Sequence, residues 1–168
     1  MFIRVVAILI FLTLHASSTM FEQNGVKKGN SRISLGISQE KKYNDNNNEF
    51  NIKTDVVYGK FLTDNSEVSL KIQDSTDFQE HVYKVDVSYN YYFLKQPTLT
   101  PYVSVELGIA GDTQLDNDSV IDEEGVSIGM HHFFTETLAL TLETGIDFTQ
   151  LKRLTEQYTT IRLTYFFN

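Results

Sequence analysis

The sequence predicts an all-β fold, an eight-stranded antiparallel up-and-down β-barrel that crosses a membrane. Three observations predict it. Apolar and polar residues alternate with period two from about Arg32 to Phe167, and no helical period follows the first residues. One face of that alternation holds almost every charge of the strands, and the other holds nearly none. Segments rich in Asn, Asp, Gly and Pro separate the runs at even spacing, so consecutive runs read as hairpins.

The chain opens with Met1, Phe2, Ile3 and Arg4, then an apolar run over residues 5–12, then small residues at Ala16 and Ser18. A single basic residue, a short apolar core and small residues form a secretory signal peptide pattern over residues 1–18, with cleavage near Ser18. A membrane-spanning helix needs roughly 20 apolar residues, which this run does not supply. There is no cysteine, so no lipoprotein acylation site and no disulfide framework. Residues 19–30 have no period and read as a short periplasmic leader, which leaves 31–168 as one barrel domain.

The first strand sets Ile33, Leu35 and Ile37 against Arg32, Ser34, Gly36 and Ser38. Residues 40–49, with an Asn-rich centre, are loop chemistry. Phe50, Ile52, Thr54, Val56 and Tyr58 then alternate with Asn51, Lys53 and Asp55, and a tight connection runs through Gly59 to Asn65. Val68, Leu70 and Ile72 oppose Glu67, Ser69, Lys71 and Gln73, and residues 74–80 form a polar loop. The longest run follows, with Tyr83, Val85, Val87, Tyr89, Tyr91 and Phe93 against Lys84, Asp86, Ser88, Asn90 and Tyr92. After a turn over residues 95–100 come Val103, Val105, Leu107 and Ile109 against Tyr102, Ser104, Glu106, Gly108 and Ala110. The most acidic loop spans residues 112–124. Val126, Ile128 and Met130 then oppose Ser127, Gly129 and His131, and residues 133–137 turn the chain. Leu138, Leu140, Leu142, Ile146 and Phe148 face away from Ala139, Thr141, Glu143, Gly145 and Asp147. Residues 149–156 lead to the closing strand, where Thr159, Ile161, Leu163, Tyr165 and Phe167 oppose Tyr158, Thr160, Arg162, Thr164 and Phe166.

Alternation alone does not say which face is inside, because a secreted lipocalin-like soluble barrel has the same period with the faces exchanged. The charged face, however, is also rich in Gly, Ser and Thr, as a narrow lumen requires. Aromatic residues gather near the ends of the apolar runs: Tyr58, Phe61, Phe93, Phe133, Tyr165 and Phe167 by one set of turns, Phe50, Tyr83 and Phe148 by the other. Such girdles mark membrane interfaces. The shorter connections lie on the side of the chain ends. The expectation is therefore apolar side chains toward lipid and ionised ones within. A formal charge of −8 argues against nucleic acid and anionic membrane surfaces as partners.

Several motifs resemble the small outer-membrane β-barrel family of Gram-negative bacteria, the OmpX and OmpA membrane-domain type. They are Gly59-Lys60-Phe61-Leu62-Thr63-Asp64-Asn65, Tyr91-Tyr92-Phe93 followed by Pro101-Tyr102-Val103 and Gly108, and the aromatic-ended last strand. The resemblance covers nearly all of the mature chain. It implies a monomer in the cell outer membrane, among outer-membrane lipid and lipopolysaccharide, inserted by the barrel-assembly machinery. Members of that family typically finish on a Phe; here Asn168 follows Phe167.

Eight strands leave a lumen that side chains can fill. Its expected charges are Arg32, Lys53, Lys71, Lys84 and Arg162 against Asp55, Glu67, Asp86, Glu106, Glu143 and Asp147, a nearly neutral plug rather than an ion path. Reflecting the last hairpin puts Glu143 roughly opposite Arg162. For the alternative of a lipid A-modifying outer-membrane enzyme, the candidate groups are His131, Ser127 and Glu143, with His132 and Thr135 at a turn. Ser127 and His131 lie about 13 Å apart along an extended strand, beyond the roughly 3 Å a nucleophile and base require. No catalytic, cofactor-binding or metal residue is therefore assigned. Asp116-Asn117-Asp118 resembles the start of a Ca²⁺ loop, but Val120 and Ile121 stand where further ligands are needed. The expected role is structural or surface-interacting, in adhesion or envelope integrity, through loops that could meet an extracellular ligand.

Overall fold

A computed structural model describes residues 25–43, 48–76, 81–112, 121–149 and 154–168. Eight strands, β1 (Ser31–Tyr43), β2 (Asn48–Phe61), β3 (Ser66–Thr76), β4 (His81–Tyr92), β5 (Leu99–Asp112), β6 (Ile121–Phe133), β7 (Leu138–Thr149) and β8 (Leu154–Phe167), follow one another around a closed antiparallel barrel. β1 pairs with both β2 and β8, so no edge is left to template aggregation. The apolar face of β8, with Ile161, Leu163 and Tyr165, meets Ile37, Leu35 and Ile33 of β1 in register.

Three short turns, over residues 62–65, 93–98 and 134–137, lie at one end, here the turn end. Thr63 and Thr135 brace two of them: the Thr63 hydroxyl accepts the Asn65 N–H (3.1 Å), and that of Thr135 accepts the Leu138 N–H (3.0 Å). At the opposite, loop end the strands run further than the periodicity indicated. β1 continues to Tyr43, β3 to Thr76 and β8 begins at Leu154, so Glu40 and Glu156, expected in loops, belong to the wall. Polar residues at those positions hid the strands, because a lumen-facing carboxylate reads like loop chemistry.

The polarity is that of a membrane barrel. Leu35 and Leu107 are 61% and 66% exposed, whereas Arg32 and Asp86 are 3% and 1% exposed. All eleven charges expected in the lumen are buried there. A soluble barrel would show the reverse, which removes the lipocalin-like alternative. Tyr58, Tyr91, Phe93 and Tyr165 face outward at the turn end, and Tyr83 and Phe148 nearer the loop end. Phe61 and Phe133 are corrections: they are 2% and 0% exposed and point into the barrel. Each stands an odd number of residues from its outward neighbour, Tyr58 or Met130, so the same alternation places it inside.

Candidate functional site: the filled lumen

The lumen is built in layers. At the turn end, Val26, Phe61, Tyr92, Tyr102, Phe133, Ala139 and Phe166 form one buried cluster. Ring centroids lie 5.3 Å apart for Phe61–Tyr92, 5.3 Å for Tyr92–Tyr102 and 5.0 Å for Phe133–Phe166. Val26 enters this layer from the segment before β1. Gly29, at φ 86°, turns that segment, and its N–H donates to the Phe61 carbonyl (3.1 Å). Gly25 packs so closely on Phe166 that a Cβ there would stand 2.3 Å from Cγ. Nothing in the aperiodic leader announced this stopper.

Above the aromatics lies a closed circuit of hydrogen bonds. Arg32 donates from Nε to Glu67 (2.8 Å) and from Nη1 to Ser34 (2.8 Å). Ser34 and Thr164 are 2.9 Å apart, Thr164 and Thr141 2.6 Å, and Thr141 lies 2.7 Å from His131 Nδ1. His131 Nε2 lies 3.2 Å from the Tyr92 hydroxyl, which donates to Glu67 and completes the ring. With the imidazole neutral and its proton on Nε2, every hydroxyl donates once and every acceptor is filled. The ring of His131 also stacks on Tyr102 (5.1 Å) and meets Phe166 edge-on (5.3 Å).

Further up, ion pairs take over. Arg162 reaches Asp55 (2.8 Å) and Glu143 (3.0 Å), and Tyr102 donates to Glu143 (2.6 Å). The Arg162–Glu143 contact is diagonal, because the register sets Glu143 against Thr160 and Arg162 against Thr141. Lys71 lies between Glu106 (2.5 Å) and Asp86 (3.0 Å), Lys84 pairs with Asp147 (2.8 Å), and Lys53 pairs with Glu40. Glycines on the inner face make room: a Cβ at Gly129 would stand 2.4 Å from the Tyr102 ring, and one at Gly59 1.8 Å from Glu67 Oε1. Such interlocked charges need their desolvation offset by partners, and here each cation has one.

Among the described residues no hydrogen bond joins Ser127, His131 and Glu143 to one another. Ser127 donates to Glu106 (3.5 Å), while His131 is engaged by Tyr92 and Thr141. His132 stands on β6 rather than in a turn, edge-on to Phe134 (5.4 Å), and Thr135 only braces its turn. Glu143 is held by Arg162 and Tyr102. No group of three His, Asp or Glu side chains suited to a metal occurs among the described residues. The Asp116-Asn117-Asp118 motif lies outside them.

No protein-family model matches the chain, and no curated protein matches it in sequence. Solved structures do. Neisserial surface protein A (NspA) superposes with a TM-score of 0.66 at 13% identity, over 82% of this chain and 99% of that one. The N-terminal β-barrel domain of Pseudomonas aeruginosa OprF gives 0.61 at 22% identity, over 80% and 97%. Ail, the attachment invasion locus protein of Yersinia pestis, solved in complex with the heparin analogue sucrose octasulfate, gives 0.59 at 12% identity, over 83% and 99%. At such identities the likeness is one of fold, and the fold is that of the small eight-stranded outer-membrane β-barrels, as the sequence motifs suggested.

Proposed function

We propose that this chain is a monomeric outer-membrane barrel that conducts nothing through its lumen and acts at the cell surface, in adhesion or envelope integrity. The single observation behind this reading is the filled lumen: an aromatic layer, a closed hydrogen-bond circuit and a column of ion pairs leave the apolar wall and the loops as the surfaces that can meet other molecules. In this reading residues 1–18 are the export signal, residues 19–30 lie on the periplasmic side with the turn end, and the loop end faces outward. The segments 44–47, 77–80, 113–120 and 150–153 hold Asp45, Asp77, Glu80, Asp116 and Asp118 against Lys152 and Arg153. That balance favours a neutral or cationic surface partner and distinguishes this chain from Ail with its polyanionic ligand.

The test combines three measurements on the expressed protein. The envelope fraction should contain a band whose gel mobility changes only on boiling, because a closed membrane barrel resists detergent until heated. Planar-bilayer recording should show no steady conductance, and cells carrying the four segments shortened to Gly-Ser should lose surface binding. Steady conductance would overturn the sealed-lumen reading, and altered lipid A acylation on expression would favour the enzyme instead.

A further inference from the structure

On the lipid-facing wall, Leu35, Ile37, Gln39, Ile52 and Ile161 line a groove of about 700 Å³ where β8, β1 and β2 meet. Its floor is the backbone at Gly36 and Ser38. All of this lining is apolar but Gln39, whose side-chain amide makes no hydrogen bond among the described residues. Its polar neighbours differ. Thr159, its partner across β8, lies 3.4 Å from the Thr144 hydroxyl, and Thr144 donates to the Tyr158 carbonyl (2.9 Å). The threonines are satisfied by the protein, while Gln39 is left to find a partner in the bilayer. A primary amide in hydrocarbon costs several kcal/mol without one.

The depth of Gln39 says what that partner is. Ser31, at the turn end of β1, lies level with Phe167. From there Gln39 is a climb of roughly 20 Å for a strand tilted by about 40°, in an apolar band of about 25 Å. It therefore sits just inside the outer edge of the hydrocarbon, where acyl chains join their headgroups. An ester linkage offers acceptors only, whereas an amide linkage offers an N–H and a C=O, complementary to both ends of Gln39. We propose that this groove, which is continuous with the lipid-facing wall, seats the amide-linked acyl chain of an outer-leaflet lipid, with Gln39 pairing the linkage. This rests on the outer-membrane reading above.

The test uses the full mature barrel in nanodiscs, offered lipid A and phosphatidylglycerol together, with bound lipid counted by native mass spectrometry. Gln39→Leu should bind about tenfold less lipid A than the native chain while holding phosphatidylglycerol unchanged. Ile37→Trp, which fills the groove, should lose lipid A as well. Equal lipid A binding by the native chain and Gln39→Leu, or an equal loss of both lipids, would overturn the site. Boiling-dependent gel mobility of both variants separates this outcome from failure of the membrane reading, which would show as a native chain lacking that mobility change.

Discussion

The two halves of the lumen are filled by opposite means. Toward the turns, rings pack on rings, with Val26 and Phe166 as the stopper. Toward the loops, Arg162, Lys71, Lys84 and Lys53 interlock with carboxylates that come from other strands. Apolar packing needs no partner to offset its desolvation, and losing part of it costs in proportion to the void left behind. Buried ion pairs behave otherwise: as a unit they are nearly neutral, yet cutting one member strands a charge. The molecule's sensitivity to single substitutions is therefore concentrated in the ionic half, although that half adds little net stability.

Arg162→Met should produce the largest effect. It leaves Asp55 and Glu143 without their shared cation and should destabilise the barrel by about 3–5 kcal/mol, read by urea unfolding in detergent micelles. Adding Asp55→Asn and Glu143→Gln to that variant should restore most of the loss. If the triple variant is no more stable than Arg162→Met, the ionic half is held by packing like the aromatic half, and the contrast fails.

Phe166→Ala should cost somewhat less, about 3 kcal/mol, since it empties space beside Phe133 (5.0 Å) and His131 (5.3 Å) without orphaning a charge. Bilayer recording of this variant should still show no steady current, because the ion-pair column above remains in place. A current would mean that the aromatic layer alone closes the lumen.

The smallest effect concerns the stopper's tether. Asp64 accepts the Lys28 N–H (2.8 Å), and that bond, with Lys95, Lys27 and Lys28 nearby, holds its carboxyl below the usual carboxylate range. A depressed carboxyl contributes above its unfolded value, near pH 4, and its contribution is lost as pH falls through the lower folded value. The Lys28 amide proton resonance should therefore move as the native chain is acidified below about pH 4, and stay in place in Asp64→Asn. Identical titrations would show that Asp64 does not tether the leader.

Much of this was legible in the residues themselves. Period two fixes which wall residues share a face, and the small residues and girdles orient the faces, so Arg32, Asp86 and Arg162 read as inward and Leu35 and Leu107 as outward before any coordinates. Phe61 and Phe133 were equally legible by counting parity; the expectation that aromatics at strand ends belong to the girdles displaced that count. Glu40 and Glu156 were misread because charge beside an Asn-rich or basic segment signals loop as readily as lumen. The Val26 stopper was not legible at all, since an aperiodic leader has no pattern to betray where a buried side chain will dock.

By itself, then, the order of residues determined the strand count, the antiparallel hairpin path and which face meets lipid, because these depend on local alternation, turn chemistry and the contrasting composition of the two faces. The last hairpin alone already set Glu143 near Arg162, but only the closed barrel decided which lumen groups meet across non-neighbouring strands. Arg162 finds Asp55 across 107 positions, and Lys84 finds Asp147 across 63. Those pairs form because closure brings non-neighbouring strands to face one another across a narrow interior, and strand tilt sets their heights. A one-dimensional pattern holds neither quantity.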